Sequence, residues 1–189
     1  MIQAPRFTVV LDACVLYPAP IRDLLLSLSA EGLFYVKWSD IIQEEWLRNL
    51  LKKRDDLTSA QLNLTIKAMN SAFPNANVEN FEERIESIEL PDKNDRHVVA
   101  CAIKCHAAVI VTFNTKDFPK KELSKYKIEI QEPEELVSSL INSNPKAICF
   151  AFNKMTKRLK KPKKTKYEVL ASLEKCGLTK SIERLKEIC

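Results

Sequence analysis

Glycine is scarce in this chain of 189 residues, which contains only Gly32 and Gly177. Each follows an amphipathic run, where a helix is expected to end, so no glycine-rich turn remains to cradle a phosphate. A P-loop and a Rossmann dinucleotide fingerprint are therefore excluded. No apolar run approaches the roughly 18 to 20 residues of a membrane span, and Asp12 interrupts the first apolar stretch too early for a signal peptide. We expect a cytoplasmic protein that does not bind membranes.

Cysteine pairs of the CxxC type are also absent, although the chain has six cysteines. The six are scattered through apolar segments, so we expect reduced thiols in the core rather than a disulfide framework. Apolar residues make up 46% of the sequence. That composition and length allow one ordinary domain with an appendage.

Charge is distributed unevenly along the chain. Residues 146–189 hold 13 Lys or Arg and 4 Glu, a net charge of +9. Residues 1–145 hold 17 basic and 21 acidic residues, a net charge of −4 within the total of +5. The sequence therefore predicts an acidic body with a basic C-terminal tail.

Hydrophobic periodicity predicts alternating strands and helices. Apolar residues at the helical spacing begin at Ile21 and stop before Gly32, Ser39 or Asp40 can cap the next helix, and Thr58 with Gln61 forms a capping box. Short strands are expected in "VVL", "LFYVKW", "AAVIVTFN" and "KIEIQ", with helices over residues 95–106 and 133–142. This alternation predicts an α/β fold, in which helices flank both faces of a parallel sheet.

Polar residues follow two of the predicted strands. Asp12 ends the first strand, while Thr112, Asn114 and Asp117 follow "VIV". The carboxyl ends of parallel strands share one edge of a sheet, so these side chains should gather there. Asp12 either caps the next element or holds a cation, because a buried carboxylate needs a partner.

Two helices carry further carboxylates. Helical geometry puts Glu45 on the inward face and leaves Glu44 on the surface, where Arg48 can pair with it. Asp95 begins its helix on the apolar face, although an acidic residue at that position also favours a helix N-terminus by itself.

Several inward carboxylates would repel one another unless cations lay between them. Oxygen ligands in that number suit Mg²⁺ or Mn²⁺. Such sites commonly serve phosphodiester hydrolysis, because the metal activates water and neutralises developing charge.

Four segments, taken in order and spacing, resemble the PIN-domain ribonucleases, and within them the toxins of VapBC-like toxin–antitoxin systems. They are "VVLDACVLYPAPIRDLL", "WSDIIQEEWLRNLL", "PDKNDRHVVACAI" and "VIVTFNTKDF". The resemblance spans about residues 6–142, and the tail looks like the helical C-terminal extension of this branch. It implies a PIN-like three-layer fold with four to five strands, divided into a nuclease domain (1–143) and a basic helical extension (144–189).

The resemblance also implies a Mg²⁺- or Mn²⁺-dependent endoribonuclease, a cognate antitoxin and a homodimer. Catalysis and metal binding would fall to the acidic cluster, which we define as Asp12, Glu45, Asp95 and Asp117. Thr112 and Asn114 would support this cluster, and either Asn114 or Asp117 could lie nearer the metal.

Candidate contacts with RNA lie outside the acidic cluster. Arg96 and His97 follow Asp95 on other sides of the helix, where contact with substrate or with solvent is equally expected. The tail contributes four candidate lysines, Lys160, Lys161, Lys163 and Lys164. Trp38 and Trp46 are expected in the core rather than as stacking platforms for bases.

Other enzyme classes with a strand-end Asp fit less well. A haloacid-dehalogenase-type phosphatase needs a second Asp where Cys14 stands, and the order of acidic residues does not suit a receiver domain. The remaining alternative is a non-catalytic module of the same fold that binds RNA or protein.

Overall fold

A parallel β-sheet organises the chain in the computed structural model, which describes residues 7–160 and 162–189. The strands are β1 (Thr8–Leu11), β2 (Tyr35–Lys37), β3 (Val109–Val111) and β4 (Glu129–Gln131). Their order is β2-β1-β3-β4, and each neighbouring pair is parallel. The predicted α/β class is confirmed, with four strands in the described part of the chain.

Helices separate and follow these strands. They are α1 (Ala13–Leu16), α2 (Ala19–Ala30), α3 (Asp40–Leu51), α4 (Ser59–Ala72), α5 (Arg96–Lys104), α6 (Lys120–Ser124), α7 (Pro133–Ser143), α8 (Pro145–Arg158), α9 (Lys166–Lys175) and α10 (Thr179–Ile188). Short 3₁₀ segments lie at Glu82–Ser87, Lys93–Asp95 and Thr115–Asp117. None of the described helices is long and apolar enough to cross a bilayer.

The helix ends form where local sequence signals predict them. The Ser39 hydroxyl accepts the backbone N–H of Ile42 at the start of α3. The capping box of Thr58 and Gln61 opens α4. Gly32 follows α2 with a φ of +77°, a conformation that glycine adopts without steric cost.

The order of the strands determines which helices share a face of the sheet. Right-handed crossovers place α2 on one face and α5 on the other, because the connections leave β1 and β2 in opposite directions. Consistently, α2 packs against α8 and α9, whereas α5 packs against β1, β3 and the 3₁₀ segment Glu82–Ser87. Chain connections diverge between β1 and β3, and in such sheets this switch point forms a crevice at the carboxyl ends of the strands.

Both tryptophans belong to the core. Trp38 and Trp46 are each 0% exposed. Their indole N–H groups donate to Asn70 Oδ1 and Gln43 Oε1, each at 2.9 Å, so neither buried donor is left unpaired. The prediction that they are core residues is confirmed.

The three C-terminal helices pack on the sheet domain through polar as well as apolar contacts. Lys154 of α8 pairs with Glu31 at 2.6 Å, and Arg158 donates to the Ser27 hydroxyl at 3.0 Å. At the start of α10, the N–H and hydroxyl of Ser181 donate to Glu134 Oε1 of α7, at 2.8 and 2.6 Å. The domain boundary after residue 143 stays a prediction.

Candidate active site

The predicted strand-end residues meet at the switch point between β1 and β3. Asp12 directly follows β1, and its N–H donates to the carbonyl of Val111, the last residue of β3, at 3.1 Å. Thr112 follows Val111 and is fully buried. Its hydroxyl donates to Asp12 Oδ2 at 2.7 Å and accepts the N–H of Asn114 at 3.0 Å. Thr112 therefore orients the Asp12 carboxylate.

Asp12 caps a helix while keeping some of its capacity to accept other bonds. Its Oδ1 accepts the N–H of Ala13 at 2.6 Å, the first residue of the four-residue helix α1. Oδ2 accepts from Thr112 and from the Cys14 thiol. A carboxylate offers about four lone-pair sites, so capping does not preclude contact with a cation. Burial raises the pKa of Asp12, and the nearby charge of Glu45 adds to this effect.

Cys14 is a neighbour of the acidic cluster that the sequence analysis did not identify. Its Sγ lies 3.1 Å from Asp12 Oδ2 and accepts the N–H of Phe113 at 3.3 Å. Burial, with the charge of Asp12, raises the pKa of the thiol to about 12, so it remains protonated and can donate to the carboxylate. The sequence signal that could have identified Cys14 is its position two residues after Asp12, in the first turn of α1.

Glu45 and Glu44 differ in exposure as the helical geometry predicts. Glu45 is half-buried, and its Oε2 lies 3.2 Å from His97 Nε2 of α5. Glu44 is exposed. The predicted ion pair between Glu44 and Arg48 is wrong, since no salt bridge joins them in the described part of the chain.

His97 is buried, so the expectation of a solvent- or substrate-facing side chain is wrong. It opens a stretch of α5 in which every residue up to Ala102 is buried, because the helix packs against the sheet and α3. A helix that is apolar on all sides is usually enclosed on all sides, and this was the signal in "HVVACA". A polar ring in such a stretch needs partners, and Glu45 provides one for Nε2, whereas the buried Nδ1 has none among the described residues.

Asp95 lies at the N-terminus of α5 and carries a buried oxygen without a partner. Its Oδ2 has no hydrogen bond among the described residues. Burial raises the pKa of Asp95 to about 7, with smaller contributions from the charges of Asp12, Asp92, Asp117 and Glu45. The other three members of the acidic cluster therefore all act electrostatically on the Asp95 carboxyl group.

Asp117 and Asn114 both lie at the same edge. The Asn114 amide donates to Asp117 Oδ2, and Asn114 is the more exposed of the two. Asp117 is the one whose charge acts on Asp95. Which of the two lies nearer a metal stays a prediction.

The carboxylate oxygens of the acidic cluster are of the kind that binds a divalent cation, although they do not lie at the distances from one another that a bound ion requires. Among the described residues, no three Asp, Glu, His or Cys side chains lie close enough to hold one ion. The unpaired Oδ2 of Asp95 and the raised pKa values of Asp12 and Asp95 are nevertheless features that a bound cation would relieve. Hard carboxylate oxygens suit Mg²⁺ or Mn²⁺.

Arg96 has a charged partner outside the acidic cluster. Its guanidinium lies 3.6 Å from Glu86 in the 3₁₀ segment Glu82–Ser87, and its side chain is mostly buried. The structure thus gives Arg96 a protein partner, and contact with RNA stays a prediction.

We expect the two neighbouring glutamates to respond differently to the same substitution. Glu45→Gln removes a charge beside Asp12 and should lower nuclease activity at least about 100-fold, because a bound metal supplies several kcal/mol to phosphodiester hydrolysis. Glu44→Gln changes an exposed side chain and should alter activity less than about twofold. Initial rates at several Mn²⁺ concentrations would measure both, and equal losses would contradict the assignment.

We also expect His97 to act by positioning Glu45. His97→Leu should weaken the response to metal by about 10- to 100-fold, as is typical when the group that orients a metal-binding side chain is lost. His97→Gln keeps a donor and should recover part of it. The readout is the Mn²⁺ concentration that gives half of the maximal rise in melting temperature, which mere loss of packing would not shift.

Comparison with known families agrees with this geometry. The PIN domain matches residues 8–116, and the VapC50 C-terminal domain matches residues 133–187. No curated protein and no solved structure matches the chain significantly. PIN domains are generally nucleases. The chain therefore belongs to the PIN-domain family, as a VapC-like toxin with a C-terminal extension.

Proposed function

We propose that this protein is a metal-dependent endoribonuclease that acts as the toxin of a toxin–antitoxin pair. The main support is the environment of Asp95, whose buried Oδ2 lacks a partner while four other carboxylates help raise its pKa to about 7. A purely structural carboxyl group would gain from a hydrogen bond at that position. A cation between the carboxylates accounts for both features.

The chain's own residues divide the work at this site. Asp12, Glu45, Asp95 and Asp117 would hold Mg²⁺ or Mn²⁺, which when bound activates water and neutralises charge at the reacting phosphate. Thr112 fixes the Asp12 carboxylate through its 2.7 Å hydrogen bond.

His97 fixes Glu45 on the other side of the site. Asn114 donates to Asp117 and so limits the rotation of that carboxylate. These contacts would preserve the geometry of the cluster when no ion is bound.

The direct test incubates the purified chain with total RNA and either Mg²⁺ or Mn²⁺, with and without EDTA, and maps the ends. We expect internal cuts that require the metal. Failure to cleave RNA, together with a melting temperature that Mn²⁺ does not raise, would favour the non-catalytic module instead.

We further propose an antitoxin partner and a homodimer, both on the basis of family membership. Expression of the chain alone should arrest growth, and expression of Asp12→Asn should not. Equal tolerance of both proteins would remove support for the toxin role and leave a ribonuclease role open.

The basic tail is the proposed binding region for the RNA backbone. Lys160 and Lys163 are exposed and form an antiparallel bridge, while Lys164 is half-buried and its charge acts on Asp23 of α2. Lys161 lies outside the described residues. Lys154 contacts Glu31 and Arg158 contacts Ser27, so α8 runs antiparallel to α2. The turn after α8 therefore lies near the N-terminus of α2, which is the end nearer to Asp12 in the sequence.

Replacing Lys160, Lys161, Lys163 and Lys164 together by Gln should weaken RNA binding across sequences. Each lost phosphate contact lowers the log–log salt slope of single-strand binding by about 0.7, so the slope should fall by up to about 3. Fluorescence anisotropy at several salt concentrations measures both quantities.

A matched control carries the same change at four exposed lysines outside the tail, Lys52, Lys67, Lys104 and Lys127. Its log–log salt slope should stay within about 0.7 of the wild-type value, which is the contribution of one phosphate contact. Equal slopes for the two quadruple variants would mean that total charge, rather than the tail, governs binding.

A further inference from the structure

An exposed aromatic ring lies directly beside the acidic cluster. Phe113 is 38% exposed, although the three residues before it, Ile110, Val111 and Thr112, are fully buried. Its N–H donates to Cys14 Sγ at 3.3 Å, and Cys14 in turn contacts Asp12 Oδ2 at 3.1 Å. Two hydrogen bonds thus connect the backbone of Phe113 to the carboxylate at the centre of the site.

The C-terminal extension lies near the ring of Phe113 on one side. The turn between α9 and α10 passes so close that a Cβ at Gly177 would lie 3.9 Å from Phe113 Cε1. Gly177 has a φ of +100°, a backbone conformation that residues other than glycine rarely adopt. The backbone of the turn therefore lies near one edge of the ring, with room for about one carbon atom between them.

This turn is held in place on both sides of Gly177. Leu178 is buried, and its N–H donates to the carbonyl of Leu173 at 3.2 Å, as in a Schellman motif. Ser181 anchors the start of α10 to Glu134 of α7 through two hydrogen bonds. These bonds fix the position of the turn beside Phe113.

Positive charge flanks the turn. Lys175 is the last residue of α9 and Lys180 the second residue of α10, and both are exposed. A partly exposed aromatic ring with cationic side chains nearby is the arrangement that binds single-stranded nucleic acid, because every base has a face that can stack.

We propose that Phe113 and the Gly177 turn form a stacking platform for an unpaired RNA base next to the cleaved phosphodiester. Lys175 and Lys180 bind the neighbouring phosphates. This inference rests on the proposed ribonuclease function and adds to it the requirement for an unpaired base at the cleavage site. It also gives the extension a direct part in substrate binding.

Two variants of Phe113 test the platform, both in an Asp12→Asn background that prevents cleavage. Phe113→Leu keeps an apolar side chain but removes the aromatic face, so affinity for a fluorescein-labelled single-stranded RNA should fall about 5- to 100-fold. Phe113→Trp should retain affinity. Because Trp38 and Trp46 are each 0% exposed, RNA should quench the fluorescence of this new tryptophan and leave the native ones unchanged.

Tyr126 provides the matched control, since it is 40% exposed and does not belong to the acidic cluster. Tyr126→Leu should bind the same RNA with unchanged affinity. For a duplex of the same sequence, the affinities with and without Phe113→Leu should differ by less than about twofold, because paired bases are not available for stacking.

The outcomes separate this inference from the proposed function. If the wild-type chain cleaves RNA but adding Phe113→Leu to Asp12→Asn leaves RNA affinity unchanged, or RNA does not quench Phe113→Trp, the platform is overturned and the ribonuclease stands. If the wild-type chain neither binds nor cleaves RNA, the proposed function fails and the platform fails with it.

Discussion

Asp12→Asn should abolish RNA cleavage and at the same time make the metal-free protein more stable at neutral pH. The substitution removes the charge of a proposed metal ligand at the centre of the acidic cluster. Since a bound metal contributes several kcal/mol to phosphodiester hydrolysis, the rate should fall by at least about 1,000-fold.

The gain in stability follows from the sign of the pKa shift. Burial raises the pKa of Asp12 above that of the unfolded chain, so ionising this carboxyl group costs stability as the pH rises. Asn can accept the N–H of Ala13 without carrying that charge. Its melting temperature in EDTA should therefore exceed that of wild type.

Asp55→Asn is a suitable control, because Asp55 is exposed on the loop after α3. It should leave both the rate and the melting temperature unchanged. Undiminished cleavage by Asp12→Asn would reject the proposed site, and a strong loss of stability would show that the carboxylate is a structural cap first.

The second large effect concerns Asp95 and the dependence of stability on pH. Its pKa is about 7 in the folded protein, compared with 3.8 as its ordinary value. A raised pKa contributes stability below about pH 4, and this contribution is lost as the pH rises toward 7. After discounting for the solvent that reaches a half-buried carboxyl group, the loss is roughly 2 kcal/mol.

Melting temperatures at pH 5 and pH 8 in EDTA measure this loss. Wild type should be destabilised at pH 8 by several degrees more than Asp95→Asn, because about 1 kcal/mol shifts the melting temperature of a domain of this size by about 2–4 °C. Parallel pH profiles for the two proteins would contradict the raised pKa.

Metal should reverse the order of the two proteins. At pH 8, a saturating Mn²⁺ concentration of about 100 times the dissociation constant stabilises the form that binds it by about 2.7 kcal/mol. We expect wild type to gain this stability and Asp95→Asn to gain much less. The same rise in both proteins would mean that Mn²⁺ binds elsewhere.

The sequence predicted the elements whose signals are local. Ser39, the Thr58 and Gln61 pair, and Gly32 mark helix ends through bonds to residues within three or four positions. The position of Asp12 and Thr112 at one sheet edge was also predictable, because parallel strands bring their carboxyl ends together.

Contacts between distant elements were not predictable in the same way. His97 was placed on the wrong side of α5 because its burial depends on α3, which precedes it by more than 40 residues. The contact of Phe113 with the Gly177 turn depends on how three helices pack after the sheet is complete. The relative positions of the carboxylates, which decide whether they can share an ion, depend on the same packing.

The hydrogen bond between Thr112 and Asp12 joins residues 100 positions apart. A ribosome adding about 5 to 20 residues per second needs about 5 to 20 s to synthesise that interval. Throughout this time the nascent chain carries Asp12 without the strand that completes its surroundings. The acidic cluster therefore cannot assemble until most of the chain has been made.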